Sequence, residues 1–131
     1  MTTFESTAII ERPVSEVYTF LSDLNNHQQL MPDSVTDWTS TIDEASFNIQ
    51  NTIKLSIHVE SRTPNQEITI VAVEKPPFDL ELKWSLSSNN DDTEVVFTIA
   101  ADLNMMMKMV ASGPLQKLAD HETQSLNSLL S

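Results

Sequence analysis

The chain has no cysteine, which removes disulfides, thiolate nucleophiles and Cys-based zinc sites at once. It has a single glycine, Gly113. Loops that cradle phosphate need glycine so that the backbone can approach the ligand, so dinucleotide-binding and P-loop readings are excluded. The same scarcity hands the hairpin turns to Asn, Asp and Pro. Basic residues are few: 7 Lys and Arg stand against 19 Asp and Glu, for a net charge of −12. Phosphate backbones bind Lys and Arg, so no nucleic acid is expected as a partner, and anionic membrane surfaces are disfavoured for the same reason. No run approaches the roughly 18 apolar residues of a membrane span, so no stable membrane insertion is expected. The opening MTTFESTAII lacks a basic region followed by an apolar run, so no signal peptide is expected and residence is assigned to the cytoplasm. Aromatics make up only 6% of the chain, which leaves the core to Ile, Leu, Val and Met.

At 131 residues the chain reads as one domain, residues 1–131, large enough to bury a real core. Phe4, Ser6, Ala8 and Ile10 alternate with Glu5, Thr7, Ile9 and Glu11, predicting a half-buried strand over residues 3–11. Pro13 suits a first helical position. Val14, Val17, Tyr18 and Leu21 then form one apolar stripe, and Glu16 complements the dipole of that helix. Ser22-Asp23 ends it. A second short helix, Asn25 to Leu30, must stop near Met31, because Pro32 restricts the residue before it.

Six strand candidates follow: Val35–Thr41, Ala45–Gln50, Ile53–Arg62, Glu67–Glu74, Phe78–Ser87 and Thr93–Leu103. Alternation is cleanest in Ile53/Leu55/Ile57/Val59, Phe78/Leu80/Leu82/Trp84/Leu86 and Val95/Phe97/Ile99/Ala101/Leu103; the opposite faces of the first two carry Lys54, Ser56, His58 and Glu60, then Asp79, Glu81, Lys83 and Ser85, the pattern of an antiparallel sheet with one wet face. Turn candidates are Asp43-Glu44, Asn51-Thr52, Pro64-Asn65, Pro76-Pro77 and Asn89 to Asp92. The short connections predict a meander. A helical pattern from about Asn104 to Leu130 closes the chain. Leu115, Leu118, Ala119, Leu126, Leu129 and Leu130 share one stripe, and Met106, Met109 and Val110 fall nearly opposite if the helix is straight. Gly113-Pro114 lies between the two sets, so a kink or short break there is expected, turning both toward the sheet.

This order suggests an α+β fold in which a curved sheet grips the closing helix. The pattern Ile10-x-x-Pro13-x-x-x-Val17-Tyr18-x-x-Leu21-x-Asp23, followed by Met31-Pro32 and Trp38, resembles the START-like or SRPBCC superfamily, polyketide cyclase/dehydrase-like proteins with the helix-grip fold of the birch pollen allergen. The resemblance implies a seven-stranded antiparallel sheet around a long C-terminal helix, two short helices after strand 1, and a hydrophobic cavity between sheet and helix. It also implies a range of roles: binders of lipids, sterols, polyketides, quinones or hormones, cyclases or dehydratases, and co-chaperone or assembly factors. It carries over no catalytic residue and no cofactor.

The candidate ligand-lining residues are Leu55, Ile57, Leu82, Trp84, Phe97, Met106, Met109 and Glu122. Glu122 sits mid-stripe between Leu118 and Leu126, so a helical wheel aims a carboxyl at the interior. It reads either as a pocket acid with a raised pKa or as a carboxyl that is paired, backbone-bonded or over a cavity mouth. The run Met105, Met106, Met107, Met109 suits a gate for apolar ligands or plain core filling. His27, His58 and His121 lack ligand spacing, all three are expected to be exposed, and no metal is assigned. Trp38, Trp84 and Tyr18 could line a pocket or simply pack. Three functions stay open: a soluble binding protein for a small hydrophobic or amphipathic ligand, a cyclase or dehydratase using Glu122 or Tyr18, and an interaction or assembly module with a filled core.

Overall fold

The computed structural model describes residues 2–51, 53–73 and 78–130. Strand β1 (Thr2–Ile10) leads into helix α1 (Val14–Leu21) and a 3₁₀ helix (Leu24–Leu30). Strands β2 (Val35–Ser40), β3 (Glu44–Ile49), β4 (Ile53–Thr63), β5 (Glu67–Ala72), β6 (Leu80–Asn89) and β7 (Asp92–Ala101) follow, and helix α2 (Met105–Leu130) closes the chain. Each strand lies within two residues of its period-2 pattern. The Pro76-Pro77 turn candidate, Thr52 and Glu74 fall outside the described residues.

The seven strands form one antiparallel, curved sheet in the order β1-β7-β6-β5-β4-β3-β2. Strands β2 to β7 are the expected meander. The two helices carry the chain away from β1, which therefore pairs with β7, in register from Thr2↔Ala101 to Ile10↔Thr93. Left-handed backbone, which favours glycine, is supplied by Gln50, Asn51, Asn65 and Asn90 at turns and by Asp37 in β2. Asn and Asp tolerate that conformation because their short side chains hydrogen-bond locally. Bending comes from register shifts at Thr36/Thr39 and Val59/Ser61, which twist a strand without glycine.

Helix α2 lies against β1 and β7 and reaches the 3₁₀ helix, while α1 lies on β6 and β7. Polar ties fix α2 to β1: Gln116 Nε2 donates to the Glu5 carbonyl (3.2 Å), Ser6 Oγ and Thr123 Oγ1 share a 2.7 Å hydrogen bond, and Arg12 Nε donates to the Leu130 carbonyl (2.6 Å). The helix runs through Gly113 and Pro114 without a break. Proline leaves the carbonyl four residues back without its partner, and that residue, Val110, is exposed. The expectation that both apolar sets turn inward is therefore corrected. Ala111, Leu115, Leu118, Ala119, Glu122, Thr123 and Leu126 face the sheet. Met106 and Met109 remain on the opposite side of one continuous helix.

Arg62 of β4 ties the far end together. Its Nε and Nη2 donate to the Ser22 carbonyl (3.2 and 2.7 Å), Nη2 also reaches the Ile42 carbonyl (3.2 Å), and Nη1 lies 2.8 Å from Asp43 Oδ1. Hydrogen bonds from a charged donor to half-buried carbonyls outweigh an exposed ion pair. Arg62→Ala should cost about 2 kcal/mol in urea unfolding, and Asp43→Ala less than about 0.5 kcal/mol. Equal losses would show that the ion pair, not the carbonyl clasp, is the active part.

Candidate functional site

Successive residues of a helix are turned about 100° from one another. Thr123 is fixed toward β1 by Ser6, so Glu122 beside it is turned away from β1, toward the interior of the curved sheet. Its neighbours on the buried stripe are Leu115, Leu118, Ala119 and Leu126. Glu122 is only 2% exposed. Among the described residues its carboxyl has neither a hydrogen-bond nor an ion-pair partner, and burial pushes its pKa well above the ordinary carboxylate value. Desolvation penalises the charged form, and nothing nearby compensates. Burial thus favours the neutral form, which can donate one hydrogen bond.

His27 is the second buried titratable group, which corrects the expectation that all three histidines are exposed. A 3₁₀ helix has three residues per turn, so Leu24, His27 and Leu30 stack on one face, and all three are buried. The i, i+3, i+6 spacing of Leu24, His27 and Leu30, which shares one face in a helix of either period, was the missed signal. His27 Nε2 lies 2.8 Å from the Leu21 carbonyl. A carbonyl only accepts, so Nε2 carries the proton and Nδ1 is the acceptor in the neutral ring. Burial lowers its pKa to about 4, against the opposing pull of the Leu21 hydrogen bond and the Asp23 charge. The ring meets Trp84 edge-on at 5.9 Å. His58 and His121 are half-buried. No cluster of three or more His, Asp or Glu suited to a metal occurs among the described residues.

Leu55, Ile57, Leu82, Trp84 and Phe97 are buried, on the inner face with the other core residues. Trp84 and Phe97 are register partners on β6 and β7, with rings stacked at 4.0 Å. Leu55 and Ile57 stand on β4, separated from β6 by β5. Met106 and Met109, 76% and 84% exposed, are not in this interior. The sheet–helix lining expected of them is withdrawn, since the unbroken helix leaves them opposite the buried stripe.

Packing differs from one interior side chain to the next. Trp84 and Phe97 have no accessible surface, and neither do Val17, Leu21, Leu24 and Leu30 of the two short helices. Phe4, Phe78, Leu80, Leu82, Leu103 and Leu118 each keep 5–7%. Ile99 and Ala101, the register partners of Leu82 and Leu80, keep none, and Leu86 near α1 keeps 6%, so the slight exposure belongs to individual side chains. A surface cleft of about 460 Å³, lined by Ser15, Glu16, Thr19, Phe20, Asn26 and Leu130, lies outside this interior.

No family model matches the chain, and no curated protein sequence matches it. Solved structures do. XoxI from Bacillus cereus is 9% identical, with a TM-score of 0.78 over 99% of this chain and 96% of that one. The Aha1 dimer from Colwellia psychrerythraea is 15% identical, with a TM-score of 0.70 over 99% and 96%. CalU16 from Micromonospora echinospora is 18% identical, with a TM-score of 0.64 over 97% and 73%. At these identities the likeness carries the fold: seven antiparallel strands curled around a long C-terminal helix, the helix-grip architecture. No helix among the described residues is long and apolar enough to cross a membrane.

Proposed function

We propose that this chain is a START-like, SRPBCC-type binding protein for a small hydrophobic or amphipathic molecule held between the inner sheet face and α2. The observation that carries this reading is Glu122, a buried carboxyl without a partner in an apolar surround. Taking a carboxyl out of water without a hydrogen-bond partner costs stability, and a bound molecule offering a carbonyl or hydroxyl oxygen relieves that cost. Thr123 bonds Ser6, whose register partner is Phe97, so Glu122 lies at the level of Trp84 and Phe97, and we place the ligand between these and Leu82. Trp84 and Phe97 then act as the floor, and apolar burial supplies most of the affinity. No cofactor enters this reading. The acidic surface supports a cytoplasmic protein that neither binds nucleic acid nor inserts into membranes.

Native mass spectrometry of freshly purified protein tests it. The expected spectrum carries an added small-molecule mass that denaturation releases, and an added long-chain methyl ketone or fatty alcohol binds in its place. Glu122→Leu should keep the fold and lose the preference for the oxygen-bearing probe. A bare chain that takes up neither probe would end the proposal.

The neutral acid also suits a cyclase or dehydratase, where it would be the general acid. That chemistry needs a second polar group converging on the ligand. The exposed methionines of α2 favour an interaction role instead.

A further inference from the structure

Four of the large apolar side chains left in water are concentrated in six residues of α2: Met105, Met106, Met109 and Val110 are 65–84% exposed. The others, Ile9, Ile42 and Leu129, lie on other elements or at the far end of α2. At 100° per residue these four and Gly113 share an arc of about 140°, with Gly113 near its middle. The arc faces away from the buried stripe. It is held there firmly, because Asn104 Oδ1 accepts the Met107 N–H at 2.8 Å and Met107 packs on the core.

We infer that this stripe is a docking surface for a second copy of the same chain, formed by two α2 helices packed antiparallel across Met109. Gly113 supports the pairing. Glycine weakens a helix interior relative to alanine, and a Cβ placed here would meet nothing within 4 Å, so neither a turn nor close packing within this chain requires it. A glycine on an exposed face lets another backbone approach. With a two-fold axis at Met109, Met105 of each copy lies over Gly113 of the other.

Charge points to the same segment. Two chains of net charge −12 repel one another, and residues 103–119 form the longest stretch without Asp or Glu, holding Lys108 and Lys117. This is where two copies meet without setting acid against acid. Area is sufficient: at roughly 100–150 Å² for each exposed large side chain, the two stripes and their flanks reach the ~1,200 Å² at which stable interfaces begin. An anionic bilayer is a poorer match, since two lysines must offset an otherwise acidic molecule.

Sedimentation velocity on the full chain from about 1 μM to 1 mM tests the inference. A concentration-dependent dimer is expected, tightened by salt as the −12 charges are screened. Met109→Glu should remove it across the range with circular dichroism and melting unchanged, since the residue touches solvent. Gly113→Leu should weaken it at least tenfold. Because the chain lacks cysteine, Met109→Cys should form a disulfide-linked dimer in mild oxidant, and Asn127→Cys should not. A monomer at every concentration, a dimer indifferent to Met109→Glu, or a monomer whose stripe binds anionic vesicles would each overturn the inference.

Discussion

Trp84→Ala should lower the unfolding free energy by about 3–5 kcal/mol, a large share of the roughly 5–15 kcal/mol that holds a domain folded. The side chain is fully buried, and its ring stacks on Phe97 at 4.0 Å and 15°. His27 meets its edge from the 3₁₀ helix. Its backbone pairs with Phe97 on one side and Ile68 on the other, so the truncation opens space where β5, β6 and β7 meet the short helices. The sealed packing there leaves few side chains free to collapse into the void, which places the cost at the upper part of the range for large-to-small changes. Trp84→Phe keeps a stacked ring and should cost about 1–2 kcal/mol. Urea unfolding monitored by circular dichroism measures both. A loss below about 1 kcal/mol for the alanine variant would mean that the indole is not packed as described.

The fold was legible because its two periods are clean. Alternation located all seven strands, since a half-buried strand in water has to show one face of each kind. Pairing of β1 with β7 was not readable, because it depends on two helices carrying the chain across the sheet rather than on any local pattern. Glu122 was legible as the misfit on an apolar helical stripe. That its carboxyl lacks a partner was not, because partners come from other elements. His27 was misread because what buries it, the Leu21 carbonyl and Trp84, belongs to other elements. The methionines were misplaced for a different reason. The wheel set them opposite the leucine stripe, and the proline was expected to turn them inward. A proline whose unpaired carbonyl belongs to an exposed residue leaves the helix continuous, and the methionines stay outside the interior.

The two buried titratable groups should give this protein opposed pH dependences that single substitutions separate. His27 titrates at about 4 when folded against an ordinary 6.5. Below pH 6.5 the unfolded chain takes a proton that the folded chain refuses, so stability falls as pH drops from 6.5 to about 4, by about 3 kcal/mol in full. Glu122 acts with the reverse sign. Its folded pKa is raised above the ordinary 4.5, so the folded chain keeps a proton that the unfolded chain gives up. The stability it lends is complete below pH 4.5 and is lost as pH climbs toward the folded value. Between 4.5 and 6.5 the two slopes oppose and the parent's pH dependence flattens. Glu122→Gln keeps the shape of the neutral acid and cannot ionise. It should match the parent near pH 4, exceed it at pH 7 to 8, and expose the full His27 slope below 6.5. His27→Gln should do the converse, with its loss relative to pH 4 beginning near 4.5. The comparison is between variant and parent at each pH, which cancels the other carboxylates. Chemical denaturation from pH 4 to 8 supplies the curves, and a Glu122→Gln curve parallel to the parent's would place that carboxyl in water rather than in the interior.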